Sequence, residues 1–244
     1  MNNEVRQPGD TTLEVPFAQP DPGTELLASH TAMLKEIRSW GLWSLGLGVV
    51  HIVSAGFLNS GWGILLLIVG LASFYYRTSP IFVVYTVALA WAAISNLISL
   101  NSGWVVLAFL QIYFAYRTFK DFQRFRKSEN ELMLTDAGIS TTNLRAQKSF
   151  PWIGPLLGCS SIVGFAILFV LTIFLGSVYG WESTAPAYYN LMQGLVETLG
   201  VLGFAVSLAS LLSGHMPKAL PILGLIASGL FMAVWLLINI SVMI

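Results

Sequence analysis

A carboxylate embedded in an apolar run calls for a proton, a cation or a hydrogen-bond donor, and Glu197 stands in such a run, residues 188–212. Three further polar side chains reach the same depth when the apolar runs are counted inward from their outer ends. His51 lies eight residues before Asn59, Asn96 five before Asn101, Gln111 seven after Trp104, and Glu197 eight or nine after Tyr188 and Tyr189. Inserting a charged side chain at mid-membrane costs about 2.5–3.5 kcal/mol on insertion scales, so an intramembrane Glu is a candidate functional group. Asn190, Gln193 and Glu197 follow at i, i+3 and i+7, on one face of a helix. That face would line an outward-facing polar cavity in which His51 is the protonation partner of Glu197, the chemistry of a small-solute or proton-coupled transporter.

The same residues admit a second reading. If the hydrocarbon segment of this helix begins near Gly194, Glu197 falls in its first turn, near water and favoured by the positive end of the helix dipole. Single His, Asn and Gln side chains within spans often bond neighbouring helices, for roughly 0.6 kcal/mol each. Counting fixes depth only to within a turn, and on that ground interhelical packing is the stronger of the two readings.

Catalysis finds little support. Gly158-Cys159-Ser160-Ser161 superficially resembles an intramembrane serine-protease sequence, but it lies near the cytoplasmic end of its run while His51 counts to the outer half, so nucleophile and base do not meet. An HExxH pair, paired intramembrane aspartates and a Walker lysine are all missing from the sequence. The expectation is a non-enzymatic chain with no metal and no cofactor. The lone cysteine, Cys159, excludes an intramolecular disulfide and reads as a small buried hydrophobe.

What positions these groups is legible in the charges. All twelve Lys and Arg residues fall on one side of seven apolar runs: Arg6, Lys35 and Arg38 before the first, Arg77 between the second and third, seven from Arg117 to Lys148 between the fourth and fifth, and Lys218 between the sixth and seventh. Cytoplasmic loops retain Lys and Arg, so the expected fold is an all-α polytopic bundle of seven transmembrane helices, amino terminus inside and carboxyl terminus outside. A composition 55% hydrophobic and 10% charged, with mean hydropathy +0.72, is that of a membrane protein. The runs are 41–58, 62–76, 81–100, 104–116, 152–179, 188–212 and 219–239. A crossing takes about 20 helical residues, so the second and fourth are short and must borrow flanking aromatics or thin the bilayer. Trp40, Trp43, Tyr75, Tyr76, Tyr113, Tyr116 and Trp152 mark an inner aromatic belt, while Trp62, Trp104, Tyr179, Trp181, Tyr188 and Tyr189 mark an outer one.

Residues 1–24, polar and broken by Pro8, Pro16, Pro20 and Pro22, read as a disordered cytoplasmic tail without a secretory signal. Residues 25–126 read as an interfacial helix (25–40, capped by Thr24) followed by a four-helix module; 127–150 as a cytoplasmic linker; 151–244 as a three-helix module. The first module carries a repeat: Asn59-Ser60-Gly61-Trp62 recurs as Asn101-Ser102-Gly103-Trp104, and each copy leads to a Tyr-Arg-Thr, at Tyr76 and Tyr116. Where the fourth run ends, Lys120, Arg124, Arg126 and Lys127 interleave with Phe119, Phe122 and Phe125. Each basic residue near an anionic surface contributes about 1 kcal/mol, so this segment should rest on anionic headgroups of the inner leaflet. Nucleic acid is not an expected partner, because a membrane anchor uses the same residues.

Small residues pattern the last three runs: Gly154, Gly158 and Gly164, then Gly200 and Gly203, then Gly224. They permit close helix packing, which serves the three helices themselves or, with the same residues, a homo-oligomer or a membrane protein partner. The segment from Gly200 to Gly229, with its Leu-Gly-x-x-Gly-Phe-Ala entry and short basic turn, resembles the small-residue hairpins of uncharacterised bacterial multi-pass membrane proteins. That resemblance implies a bacterial inner (plasma) membrane and brings no activity with it. Two functions follow: a non-enzymatic scaffold or partner-associating subunit, and the transporter built around Glu197.

Overall fold

The computed structural model describes residues 22–55, 61–98, 102–135, 153–179, 187–213 and 218–243. The expected tail up to residue 21 and linker residues 136–150 lie outside the described residues. Seven helices are present among those described: α1 (Pro22–Ala55), α2 (Gly61–Tyr75), α3 (Ile81–Ile98), α4 (Ser102–Thr135), α5 (Ile153–Tyr179), α6 (Ala187–Ser213) and α7 (Ala219–Met243). Within α3, α5, α6 and α7, the segments Ile81–Ile98, Ile153–Phe174, Leu191–Ser213 and Ala219–Ile238 are long and apolar enough to cross a membrane. Large apolar side chains also lie open on the outside of the bundle, Val106, Phe109, Val170 and Leu237 at 65% exposure or more. A water-soluble surface does not carry such a band, and the chain is a helical bundle of membrane-protein type.

Helix α1 is one continuous element of 34 residues, about 51 Å long. The segment 25–40, read from sequence as a separate interfacial helix, is its first half. A change from polar to apolar composition alters the surroundings of a helix without breaking its backbone, and no proline falls inside α1 after its first residue. The helix starts at Pro22, ahead of Thr24, because a proline's fixed φ and missing N–H suit a first turn. Helix α4 likewise runs on to Thr135, so the first nine residues assigned to a linker are helical. Buried contacts hold that extension. Phe125 stacks on Phe82 with ring centroids 5.7 Å apart, and the buried Glu129 carboxylate accepts the Ser79 backbone N–H at 2.8 Å and also the Ser79 hydroxyl. Glu129 thereby satisfies donors at the start of α3, where a helix dipole favours negative charge.

The two Tyr-Arg-Thr copies end differently. After Tyr76 the chain leaves the helix, and Arg77 Nε donates to the Phe74 carbonyl at 3.3 Å; Pro80 follows and disfavours helical backbone just before it. Tyr116-Arg117-Thr118 has no such proline behind it and stays within α4, with Thr118 fully buried and sharing a 2.8 Å hydroxyl contact with Thr86 of α3.

Helices α1 with α2, and α3 with α4, pair as hairpins, α5, α6 and α7 pack together, and α6 also meets α2 and α3. The main core crosses that boundary: Leu65 and Val69 of α2, Phe82 and Trp91 of α3, Phe122 and Phe125 of α4, and Val201 and Ala205 of α6 belong to one buried cluster. Between the halves the tightest point is a glycine pair. A methyl added at Gly61 would lie 2.6 Å from the Gly194 Cα, and one at Gly194 would lie 2.8 Å from the Gly61 Cα. Only glycine lets the backbones of α2 and α6 come this close, and Thr198 Oγ1 of α6 donates to the Gly61 carbonyl at 3.2 Å beside it.

Candidate functional site

Along α3, Ala88, Ala92 and Asn96 recur every four residues on one face, and the two alanines leave space in front of them. That space is a cavity of about 640 Å³ between the α1–α2 and α3–α4 hairpins. Its walls are apolar: Trp43, Leu47 and Val50 of α1, Leu65 and Leu66 of α2, Leu107, Leu110 and Phe114 of α4. Both ends are polar. At one end His51 lines the cavity with Asn96 and Gln111, and Asn96 Nδ2 donates to Gln111 Oε1 at 2.7 Å. At the other end Arg117 of α4 pairs with Glu36 of α1 at 3.0 Å, and its guanidinium lies 5.8 Å from the centre of the Trp40 ring. Phe114 meets Trp40 edge-on at 5.7 Å, which fixes the indole as a wall between the ion pair and the apolar trough.

Glu197 is elsewhere. It accepts a hydrogen bond from Trp91 Nε1 of α3 at 2.7 Å, and Trp91, almost fully buried, packs on Trp235 of α7 at 5.5 Å. The structure therefore brings His51, Asn96 and Gln111 of the predicted polar layer to one cavity, while Glu197 bonds Trp91 on another face of α3. Gln193 is half-buried in α6 and does not line the cavity; the side chain of Asn190 lies outside the described residues. Counting sets Glu197 level with Asn96, whereas its partner Trp91 stands five residues, about 7.5 Å, away along α3; Trp91 also precedes Ala92 by one residue, about 100° around the helix, and that azimuth turns it to α6.

Asp121, one turn beyond Arg117, is half-buried at the ion-pair end. Burial raises its carboxyl above the usual range, Glu36 adds to the rise, and Arg117, Arg124 and Trp40 oppose it. The Trp40 N–H is near enough to favour the charged form without making a well-formed hydrogen bond, so Asp121 Oδ2 and Trp40 Nε1 are both buried without a partner. Because the folded carboxyl titrates higher than the unfolded one, stability is full at acid pH and falls as pH rises through the folded value. Asp121→Asn should leave the acid-side thermal midpoint unchanged and raise the neutral one by about 1–3 °C, the size of a screened, half-exposed interaction. A neutral-pH decrease in that melting comparison would mean the charged form is held favourably.

On the rest of α4, Lys120 lies over Tyr116 at 5.6 Å, Arg124 over Phe125 at 5.4 Å and Arg126 over Phe122 at 5.7 Å; Lys127 is exposed. The small-residue faces of α5, α6 and α7 meet one another. Gly154 and Gly224 both pack on Ser207, Gly158 and Gly203 on Ser228, Gly164 on Val196 and Gly200 on Phe231. Cys159, expected to be buried, is exposed on α5, since its neighbours Gly158 and Ser161 hold the face turned inward. Ser161 donates to the Gly158 carbonyl at 2.7 Å. Among the described residues no His, Cys, Asp and Glu side chains group to hold a metal ion.

No known protein family, curated protein or solved structure matches the chain. Its chemistry must be read from its own geometry. Three features of that geometry were not singled out from sequence: the Trp91 donor, the Glu36–Arg117 pair, and the seven-residue glycine spacing of the first hairpin. In the last, Gly41 and Gly48 of α1 face Gly70 and Gly63 of α2, a signal that is in the sequence once the two helices are known to pair.

Proposed function

We propose that the chain is a seven-span plasma-membrane protein of bacterial inner-membrane type, amino terminus inside and carboxyl terminus outside, acting without catalysis as a scaffold or partner-associating subunit. The one-sided Lys and Arg residues support the orientation. The apolar parts of α1 and α4 and the 15-residue α2 supply the three spans beyond the four long ones. The observation that carries the scaffold reading is that intramembrane polar groups are turned to each other across helices: Glu197 to Trp91, Asn96 to Gln111, Thr86 to Thr118. Groups so paired hold helices in register, whereas a transport path presents them to the passing solute.

The transporter remains a second reading because of the cavity, and the cavity moves it from Glu197 to His51, Asn96 and Gln111. The deciding experiment places single cysteines at positions 197, 51 and 111 in a Cys159→Ser background and applies a membrane-impermeant thiol reagent to intact cells. Ser183→Cys should label from outside and Lys127→Cys only after permeabilisation, which tests the orientation. The scaffold reading expects no labelling at 197, 51 or 111. Labelling at 51 and 111 with 197 protected would favour solute passage through the cavity, and labelling at 197 would sink the packing role of Glu197.

A further inference from the structure

The cavity opens sideways. Trp43, Leu47 and Val50 of α1 and Leu107 and Leu110 of α4 line it and are also exposed, so the gap between α1 and α4 is a groove on the flank of the bundle. On a membrane protein that flank faces hydrocarbon. From Arg117 to Leu107 the groove follows α4 for ten residues, about 15 Å, which is half of a hydrocarbon core about 30 Å thick. Along α1 its lining runs further, from Glu36 to His51, about 22 Å, so the groove reaches from its polar mouth past mid-membrane.

Charge marks its polar mouth. Arg117 is half-exposed; one of its Nη atoms meets Glu36 at 3.0 Å, and its guanidinium lies 5.8 Å from the centre of the Trp40 ring. Lys120 and Arg124 follow on the next turns of α4 and are exposed. A guanidinium fork matches the two oxygens of a phosphate better than any single-point cation does. Setting and charge choose the occupant: the trough is apolar, it opens on hydrocarbon, and a cation stands at its mouth, which together match the chain and the phosphate of a lipid.

We propose that the groove between α1 and α4 holds an acyl chain of an anionic phospholipid whose phosphate binds Arg117. The inference rests on the membrane reading above but not on the scaffold role, and it differs from the general surface attraction of Lys120, Arg124, Arg126 and Lys127 in having one stoichiometric site. Glu36 is then a competitor: it occupies the fork with a carboxylate when no phosphate is present.

The test is native mass spectrometry of the full chain released from nanodiscs of equal phosphatidylglycerol and phosphatidylcholine. Wild type should retain one phosphatidylglycerol in preference to phosphatidylcholine by about five- to tenfold, the ratio expected of one charge-assisted contact. Arg117→Gln should bring the two lipids to parity. Glu36→Gln should raise phosphatidylglycerol retention several-fold, an outcome that general destabilisation would not produce. Ala92→Phe, which fills the groove at its α3 wall, should abolish retention of both, while Lys218→Gln, an exposed charge away from the groove, should change neither. Equal retention of both lipids by wild type, a preference that survives Arg117→Gln, or an equal loss in Lys218→Gln would each overturn the proposal. So would a dimer that carries no lipid. If Arg117→Gln fails to fold, the opposite responses of Glu36→Gln and Ala92→Phe still decide it, and both are independent of which terminus faces the cytoplasm.

Discussion

Gly203→Ala should loosen the carboxyl-terminal three-helix group more than any other single methyl added to its surface of contact. The new methyl would lie 2.7 Å from the backbone nitrogen of Gly158 and 3.1 Å from the backbone carbon of Leu157. Those are atoms of α5 that cannot rotate away, so the helices must part. From the other side, a methyl at Gly224 of α7 would lie 2.9 Å from the Pro155 nitrogen and 3.0 Å from the Gly154 carbon. Three backbones therefore meet around one crossing. In a bilayer the lipid tails are as apolar as the helices, and close van der Waals contact does what water exclusion does in a soluble core. Overpacking costs about 1–3 kcal/mol where neighbours can yield, and backbone neighbours put Gly203→Ala at the upper end. The control is Gly229→Ala in α7, where the nearest atom to the new methyl is a Phe204 ring carbon at 3.7 Å. There the substitution should be neutral or gain up to about 1 kcal/mol from helix propensity. Unfolding of both variants in one detergent checks this, and equal behaviour of the two glycines would contradict the close crossing.

That helices fall on the apolar runs was legible in the sequence, because such runs are a property of the chain itself. Continuity was not. The changes of polarity at Gly41 and after Arg126 looked like boundaries, yet α1 runs through the first and α4 continues past the second to Thr135, since a helix ends where backbone bonding fails and not where polarity changes. What carries α4 onward is the contact of Glu129 with Ser79, fifty residues apart, which no local pattern reveals. The site divides along the same line. Depth placed His51, Asn96 and Gln111 at one level, and the structure does bring those three to one cavity. The cavity itself is made by what is missing, the small side chains of Ala88 and Ala92 opposite the hairpin of α1 and α2. An absence of volume shared among four helices leaves no signal in any one of them. Arg117 was read as one more cytoplasmic charge for the same reason: its meaning depends on Glu36, eighty-one residues away.

Replacing Trp91 by Phe should expose how much the bundle depends on the bond between its halves. The ring would still fill most of its place beside Trp235, but Glu197 Oε1 would lose the indole donor that now reaches it at 2.7 Å. Removing one partner of a buried hydrogen bond to a charged group costs about 1.5–3 kcal/mol. Glu197→Gln behaves differently, because an amide oxygen accepts the same indole N–H without bringing a charge out of water. It should cost little, and it should also make Trp91→Phe less damaging. A double-mutant cycle isolates that coupling, expected at about 1–3 kcal/mol, in the range measured for residues in direct contact. Glu197→Gln also tests a transporter centred on Glu197, as distinct from one that uses the cavity of His51, Asn96 and Gln111. A proton-coupled transporter centred on Glu197 would lose transport in Glu197→Gln while keeping its fold and expression. A bundle that uses Glu197 as a joint between α3 and α6 keeps both fold and function in Glu197→Gln and loses stability only when the Trp91 donor or the acceptor oxygen at position 197 is removed. Glu197→Ala then becomes the harsher change, for it takes from the buried Trp91 N–H the acceptor it now has.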